Sequence, residues 1–431
     1  MQIKANWQQS FVKKALEALF VDKKRFEVKK TRIGQFFSRF YLPYLTEILL
    51  FLAVLIYWYE GFITKYVSFI SRDWLALLLV LLALLFVKKE KLIFGKVQVW
   101  YLIFLLFLAT SGLLAIFRDM NPNLVFRGWL LFAQFGLVFY AAQGLKKGKK
   151  YLSLLLILSF PLSLAGIYQY LVHKPTSQLW LSPGENLTRA FAFFGSPNVL
   201  GVLMAIMVIL ALGLLVKEKK YIYLIPAFLS FVVVIFTFSR SAWLSLAVAI
   251  IFALVVYNYR LLVLTPLLLL ALLVPSVRDR FSISFSQSYL LDSTLDGRIW
   301  AWINSFFIFK KYPVFGTGPG TYGGKLAANY ASPVYLEGVQ NGYTALYFTD
   351  NQYLEILVQS GVLGLVSFIG FAISSLVMLI KRFLKKKDIM ALTSATAFVS
   401  FLVSGLFANV LDFGAVAVPM ALILGVSFSE D

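Results

Sequence analysis

The chain has 431 residues, 60% of them hydrophobic and 17% aromatic, with one His and no Cys, and a formal net charge of +20. Without Cys there are no disulfides and no thiol catalysis, and a lone His173 excludes clustered His metal sites. The basic residues sit in short loops beside long apolar runs rather than with aromatics on one folded face, which speaks for membrane topology and against nucleic-acid binding.

Residues 1–42 hold ten Lys/Arg and read as a basic cytoplasmic segment, with Phe11, Leu16, Leu19 and Phe20 spaced for an interfacial helix. No small-residue cleavage site follows the first apolar run, so this is not a signal peptide. A helical span needs ~20 mostly apolar residues. That ruler predicts twelve spans near 43–59, 74–87, 97–117, 124–144, 151–171, 198–216, 221–238, 242–257, 261–275, 361–380, 389–407 and 414–428. The second is the shortest, with Arg72 and Asp73 at its edge, and Pro161, Pro226, Pro266 and Pro419 fall inside spans, where neighbouring helices can satisfy the freed carbonyls.

Lysine and arginine cluster after every second run: Lys88, Lys89, Lys91 and Lys96; Lys146, Lys147, Lys149 and Lys150; Lys217, Lys219 and Lys220; and Lys381, Arg382 and Lys385 to Lys387. Such loops stay cytoplasmic, so both termini are expected inside. The expected fold is an all-α polytopic membrane protein in four parts: the segment 1–42, spans one to nine over 43–275, an extracytoplasmic loop over 276–360, and spans ten to twelve with a short tail over 361–431. A loop of that length tends to carry function or structure of its own. Within it, 299–309 is too short to span and too apolar for solution, which suits a helix in the outer interface or packed on the bundle, with Trp300 and Trp302 at headgroup depth. Pro313 and the glycines of V-F-G-T-G-P-G-T-Y-G-G force turns. Gly316 to Gly320 follow no Rossmann strand and include Pro319, which argues against a nucleotide loop. From Asn351 helical spacing resumes and leads into the tenth span.

Arginines on the outer side work against the charge rule and so draw notice. Arg189 precedes a helix start at Pro197 and Asn198 with Ser196 as N-cap; it either snorkels to headgroups or faces an anion near a positive helix end. Arg240 sits in a very short turn between spans seven and eight, where snorkelling competes with phosphate binding by a fixed guanidinium. Arg298 opens the 299–309 helix, and Asp292 or Asp296 can pair with it. Asp350 reads either as the N-cap of the helix leading into span ten or as a general base toward a sugar hydroxyl. Glu355 lies too far round that helix to partner Asp350, and Glu185 and Asp412 have weaker claims.

The ordered set F-F-G-S-P-N-V-L-G, F-S-R-S-A-W-L, G-R-I-W-A-W with P-V-F-G-T-G-P-G-T-Y, and D-N-Q-Y-L-E-I-L-V-Q-S-G-V-L-G resembles the bacterial O-antigen ligase and polysaccharide polymerase family, over about 175 to 370. The resemblance implies a metal-independent membrane glycosyltransferase without cofactor, in the bacterial cytoplasmic membrane with its site facing outward. It would take glycan from an undecaprenyl-diphosphate-linked oligosaccharide and pass it to a saccharide acceptor, beside other polysaccharide-assembly membrane proteins. It would place Arg189 and Arg240 on the diphosphate, with Asp350 as the third catalytic residue and Arg298, Asn351, Tyr353, Asn198 and Trp300 contacting substrate. Ligases usually carry a His-Asn pair where this chain has Asp350-Asn351, which favours a polymerase of repeat units over a ligase onto the lipid A core. The other classes open to the sequence are a transporter or flippase of lipid-linked saccharide, which mid-membrane charges and repeat halves would mark, and a non-catalytic scaffold.

Overall fold

The computed structural model describes residues 26–27, 45–59, 72–86, 93–145, 148–177, 187–263, 265–266, 275–283, 286–287, 291, 293–294, 297–334 and 349–429. Nearly all of the segment 1–42, most of the ninth expected span, and Glu185, Asp292 and Asp296 lie outside them. Over the described residues the chain is helical apart from one antiparallel pair, β1 (Phe26–Glu27) against β2 (Ile93–Phe94).

The helices are α1 (Leu45–Trp58), α2 (Arg72–Phe86), α3 (Lys96–Ile116), α4 (Pro122–Gln143), α5 (Gly148–Leu171), α6 (Pro197–Glu218), α7 (Leu224–Phe236), α8 (Arg240–Asn258), α9 (Pro275–Ile283), α10 (Arg298–Lys311), α11 (Lys325–Asn329), α12 (Gln352–Lys386), α13 (Ile389–Ser404) and α14 (Gly414–Phe428). Six are long and apolar enough to cross a membrane: α3, α4, α5, α6, α8 with its continuation to Val263, and α12. The shorter apolar helices α1, α2, α7, α13 and α14 fall where the sequence places spans. At about 1.5 Å per residue, the 15 residues of α14 fall short of a ~30 Å hydrocarbon layer, and nearly all of them are buried in protein rather than exposed to lipid.

Helix ends follow local chemistry. Ser196 caps α6 by accepting from Val199 N, with Pro197 in the first helical position, as the sequence predicts. Asn121 caps α4 ahead of Pro122, and Asp388 caps α13. α6 is apolar all round and 83% of its span is buried, against 11% for α8, so α6 is a central post and α8 a peripheral one. α12 packs on α3, α14 on α4, and α13 on both α6 and α8. In lipid such contacts rest on close packing rather than on hydrophobic exclusion. Ala417, Ala421 and Gly425 repeat at every fourth position of α14, and Gly425 lies against Phe139 and Ala142 of α4. Aromatic rings fill the space between α3, α4, α12 and α13, with Tyr101 edge-on to Phe371 at 4.7 Å and Phe371 edge-on to Phe398 at 5.9 Å.

One break in α12 organises the region of interest. Gly361 has φ +68° inside the helix, and a Cβ there would collide with the backbone of Val314 and Phe315. The break releases the carbonyls of Val358 and Gln359 from the helical ladder, and the glycine run satisfies them: Thr317 N donates to Val358 O at 2.8 Å and Gly318 N to Gln359 O at 3.0 Å. Arg118 ties the run to α3 by donating to Gly316 O and lying over the Tyr312 ring. G-T-G-P-G is therefore a clasp on a helix kink. α10 buries Ala301, Ser305 and Ile308 and packs against α12, so of the two placements open to the 299–309 helix the structure shows packing on the bundle.

Candidate functional site

Three residues, Thr237 to Ser239, join α7 to α8, and Phe238 takes a left-handed conformation, φ +48°. A turn this tight leaves carbonyls of its own without helical partners. Arginines from separate segments bond two of them. Arg189, in the extended stretch before α6, donates from Nε to Thr237 O at 2.8 Å, and Arg280 of α9 donates from Nε to Phe238 O at 2.8 Å. Arg240 occupies the first turn of α8 itself. Two guanidinium groups thus bond one turn, and a third arginine, Arg240, begins the helix that follows it, at the positive end of the α8 dipole.

Arg189 does not snorkel. It is 3% exposed, its backbone N donates to Thr176 Oγ1, and a terminal nitrogen donates to Asn198 Oδ1 at 2.9 Å. Two residues expected to meet substrate, Arg189 and Asn198, therefore hold each other. Ala190 N bonds to Phe236 O, which fixes the stretch against α7.

A second group joins α10 to the start of α12. Arg298 Nε pairs with Asp350 Oδ2 at 3.0 Å, both side chains about a third exposed or less. The expected N-cap role of Asp350 is corrected: Asn351 caps α12, accepting from Tyr353 N and Leu354 N, because Asp350 lies one residue too early, in a left-handed conformation with φ +47°. Trp302 Nε1 donates to Thr349 O, and Trp300 is partly buried against the small core around Ile308, Tyr322 and Val358. Tyr353 turns inward, its hydroxyl bonded to Leu402 O.

A third group was not anticipated. Glu355, 1% exposed, accepts from Gln352 Nε2 (2.8 Å), Gln359 Nε2 (2.9 Å) and Asn409 Nδ2 (2.7 Å). Asp412, in the α13–α14 connection, lies beside it, both carboxyl groups reaching the same side of Gly324. Burial pushes the Asp412 carboxyl up from 3.8 to about 7, with the Glu355 bond acting the other way. The nest reaches into the glycine run. Asn409 Nδ2 also donates to Gly323 O, and Gly320 N donates to Gln359 Oε1. Gly324 passes so close that a Cβ would lie 2.5 Å from Asp412 Oδ2.

The arginine turn and the nest lie at the same end of the bundle. Ser400, near the end of α13, bonds Ser245, near the start of α8, and Gln352 N at the start of α12 bonds Gly405 O just past α13. Sequence reasoning missed Arg280, although it meets the same criterion that selected Arg189: an arginine beside a span on the side where the charge rule disfavours it. It undervalued Glu355 and Asp412 because nothing in their local context pairs them.

The fold and these sites define a helical, multi-pass membrane protein with cations gathered at one helix turn and a buried carboxyl pair at the same end. Residues 225–369, about a third of the chain, match the model of a family described as O-antigen ligase. The match takes in the arginine turn from Thr237, Arg280, Arg298, Asp350 and Glu355, and leaves out Arg189 and Asp412. No curated protein matches the chain. With the apolar helices, the match indicates a glycosyl-transferring membrane enzyme of the O-antigen ligase and polymerase type, acting on lipid-linked glycans.

Proposed function

We propose that this protein transfers glycan from an undecaprenyl-diphosphate carrier to a sugar hydroxyl at the outer face of the bacterial cytoplasmic membrane, polymerising repeat units. The observation that carries this reading is the convergence of Arg189, Arg240 and Arg280 on the α7–α8 turn. When the glycosyl C–O bond breaks, its electron pair leaves on the diphosphate, and preorganised guanidinium groups stabilise that charge without a metal. Arg240 and Arg280 present cations to the leaving group, while Arg189 anchors the turn and, through Asn198, the start of α6. The acceptor hydroxyl loses its proton to a carboxylate as its oxygen attacks the sugar carbon. Asp350, partly exposed and steered by Arg298, is the group assigned to receive it. Asp350 stands where ligases usually carry His, which favours repeat-unit polymerisation over ligation to the lipid A core.

The reading carries an orientation: twelve spans, both termini cytoplasmic, and residues 276–360 outside. The chain has no native Cys, so single-cysteine labelling reports topology without background. A cysteine at Asp119 is expected to react with an impermeant reagent in intact cells and one at Lys219 only after lysis; the reverse pattern would sink the orientation. For the chemistry, Arg240→Ala and Arg280→Ala should each leave the carrier lipid with unextended repeats at normal protein levels. Wild-type chain length in both variants refutes the assignment.

A further inference from the structure

Beside the carboxyl nest lies a partly open cavity of about 190 Å³. A space of that order admits a single sugar ring. Its wall includes Trp74 of α2, Arg127 and Gln134 of α4, Asn329 of α11, Glu355 and Asp412. One feature shows that its polar lining is not used up internally. Gln134 is 5% exposed, and although its Oε1 accepts from Tyr57, its Nε2 has no hydrogen-bond partner. Arg127 lines the same space. A buried amide N–H left unbonded costs about 1–3 kcal/mol, so such a group facing a void calls for an acceptor to fill it. Behind the wall, the unpartnered Oδ1 of buried Asn409 adds a further acceptor next to Glu355.

We infer that this cavity is a saccharide subsite holding one hydroxyl-bearing ring of the glycan. Gln134 Nε2 and Arg127 donate to ring oxygens or hydroxyls, Asp412 accepts from a hydroxyl, and the partly exposed indole of Trp74 covers an apolar C–H face. The network through Gln352, Gln359 and Asn409 fixes the Glu355 side of this wall. The inference rests on the glycosyl-transfer reading and adds to it the place where one sugar is recognised, away from the arginine turn.

The test uses the full-length protein in detergent and, as probe, the oligosaccharide released from the carrier lipid of cells lacking this protein. Gln134→Glu is isosteric and keeps the acceptor for Tyr57 while removing the free donor. Leu131→Phe fills the cavity from a neighbouring lining position. The probe is expected to raise the unfolding temperature of wild type and of Arg240→Ala. Both cavity variants, folded with near-wild-type unfolding temperatures in its absence, should require roughly tenfold more of it for the same rise, as befits one lost hydrogen bond. Equal response of all four proteins, or none from wild type, overturns the subsite. If the shift behaves as expected but Arg240→Ala still elongates glycan normally, the subsite stands and the catalytic reading falls.

Discussion

The arginine turn and the carboxyl nest solve opposite electrostatic problems at the same end of the bundle. At the turn, cations are held on backbone carbonyls that a tight loop leaves without helical partners, so the positive groups are satisfied by dipoles. In the nest, side-chain amides hold Glu355, and burial raises the Asp412 carboxyl beside it. The first arrangement keeps its charge and suits an anionic leaving group. The second suppresses charge and suits a neutral, hydroxylated ligand. Each region should therefore fail in its own way when it is disturbed.

The largest expected effect is on turnover. Arg240→Ala removes a cation assigned to the leaving group in the proposed reaction, and loss of one preorganised donor to a developing anion lowers rates about 100-fold or more. Elongation of extracted lipid-linked repeats by purified protein measures it. A fall under threefold would show that the turn is structural only. Next comes stability. Glu355→Ala strips the acceptor from three buried amides at once, and with about 1 kcal/mol or more for each orphaned donor a loss on the order of 3 kcal/mol is expected, read as a marked drop in unfolding temperature in detergent. If that temperature is unchanged, the bonds to Glu355 do not hold α12 against the α13–α14 connection.

How much of this was legible in the sequence follows from the same contrast. The arginine turn was visible because its signal is local: Arg189 and Arg240 flank apolar runs on the side that the charge pattern assigns as outer, and Ser196-Pro197 announces a helix start that the structure confirms. Arg280 carried the same signal. The nest was not visible. Glu355 reads as an ordinary polar position on a helix, and Asp412 as a loop carboxylate; only the fold brings α12 and the α13–α14 connection together. Asp350 illustrates a smaller miss. Its composition suits an N-cap, but Asn351 does so equally, and which one caps depends on where the helix begins. The glycine run was correctly read as turns, yet its purpose, covering carbonyls freed at Gly361, needed the kink in view.

A third test separates the two regions by pH. Asp412, raised by burial from 3.8 to about 7, binds its proton more tightly in the folded protein than in the unfolded one. Its contribution to stability is complete below about pH 3.8 and is lost as pH rises through about 7. Thermal unfolding from pH 4 to 8 should thus show a decline in wild type that Asp412→Asn reduces, since the amide has no proton to lose and only the neighbouring Glu355 carboxyl remains. Arg240→Ala should retain the wild-type slope, because the turn contains no group titrating in that window. Parallel slopes in wild type and Asp412→Asn would mean that the nest is open enough to water to leave the carboxyl at its ordinary value.

The smallest expected effect falls on the Arg298–Asp350 pair, which belongs to neither region but lies where α10 meets α12. Both side chains are partly exposed, so solvent screens the pair and a double-mutant cycle should return about 0.5–1 kcal/mol of coupling in stability. Its effect on rate is the sharper measure. If Asp350 receives the acceptor proton, Asp350→Asn lowers turnover far more than its stability change predicts, while Arg298→Ala, which leaves the carboxylate in place but unsteered, lowers it less. If the two variants lose the same modest amount of rate in step with stability, the pair is a strut between α10 and α12. The proton acceptor must then be sought among the two described carboxyls that line the cavity, of which Asp412 is partly exposed and Glu355 buried.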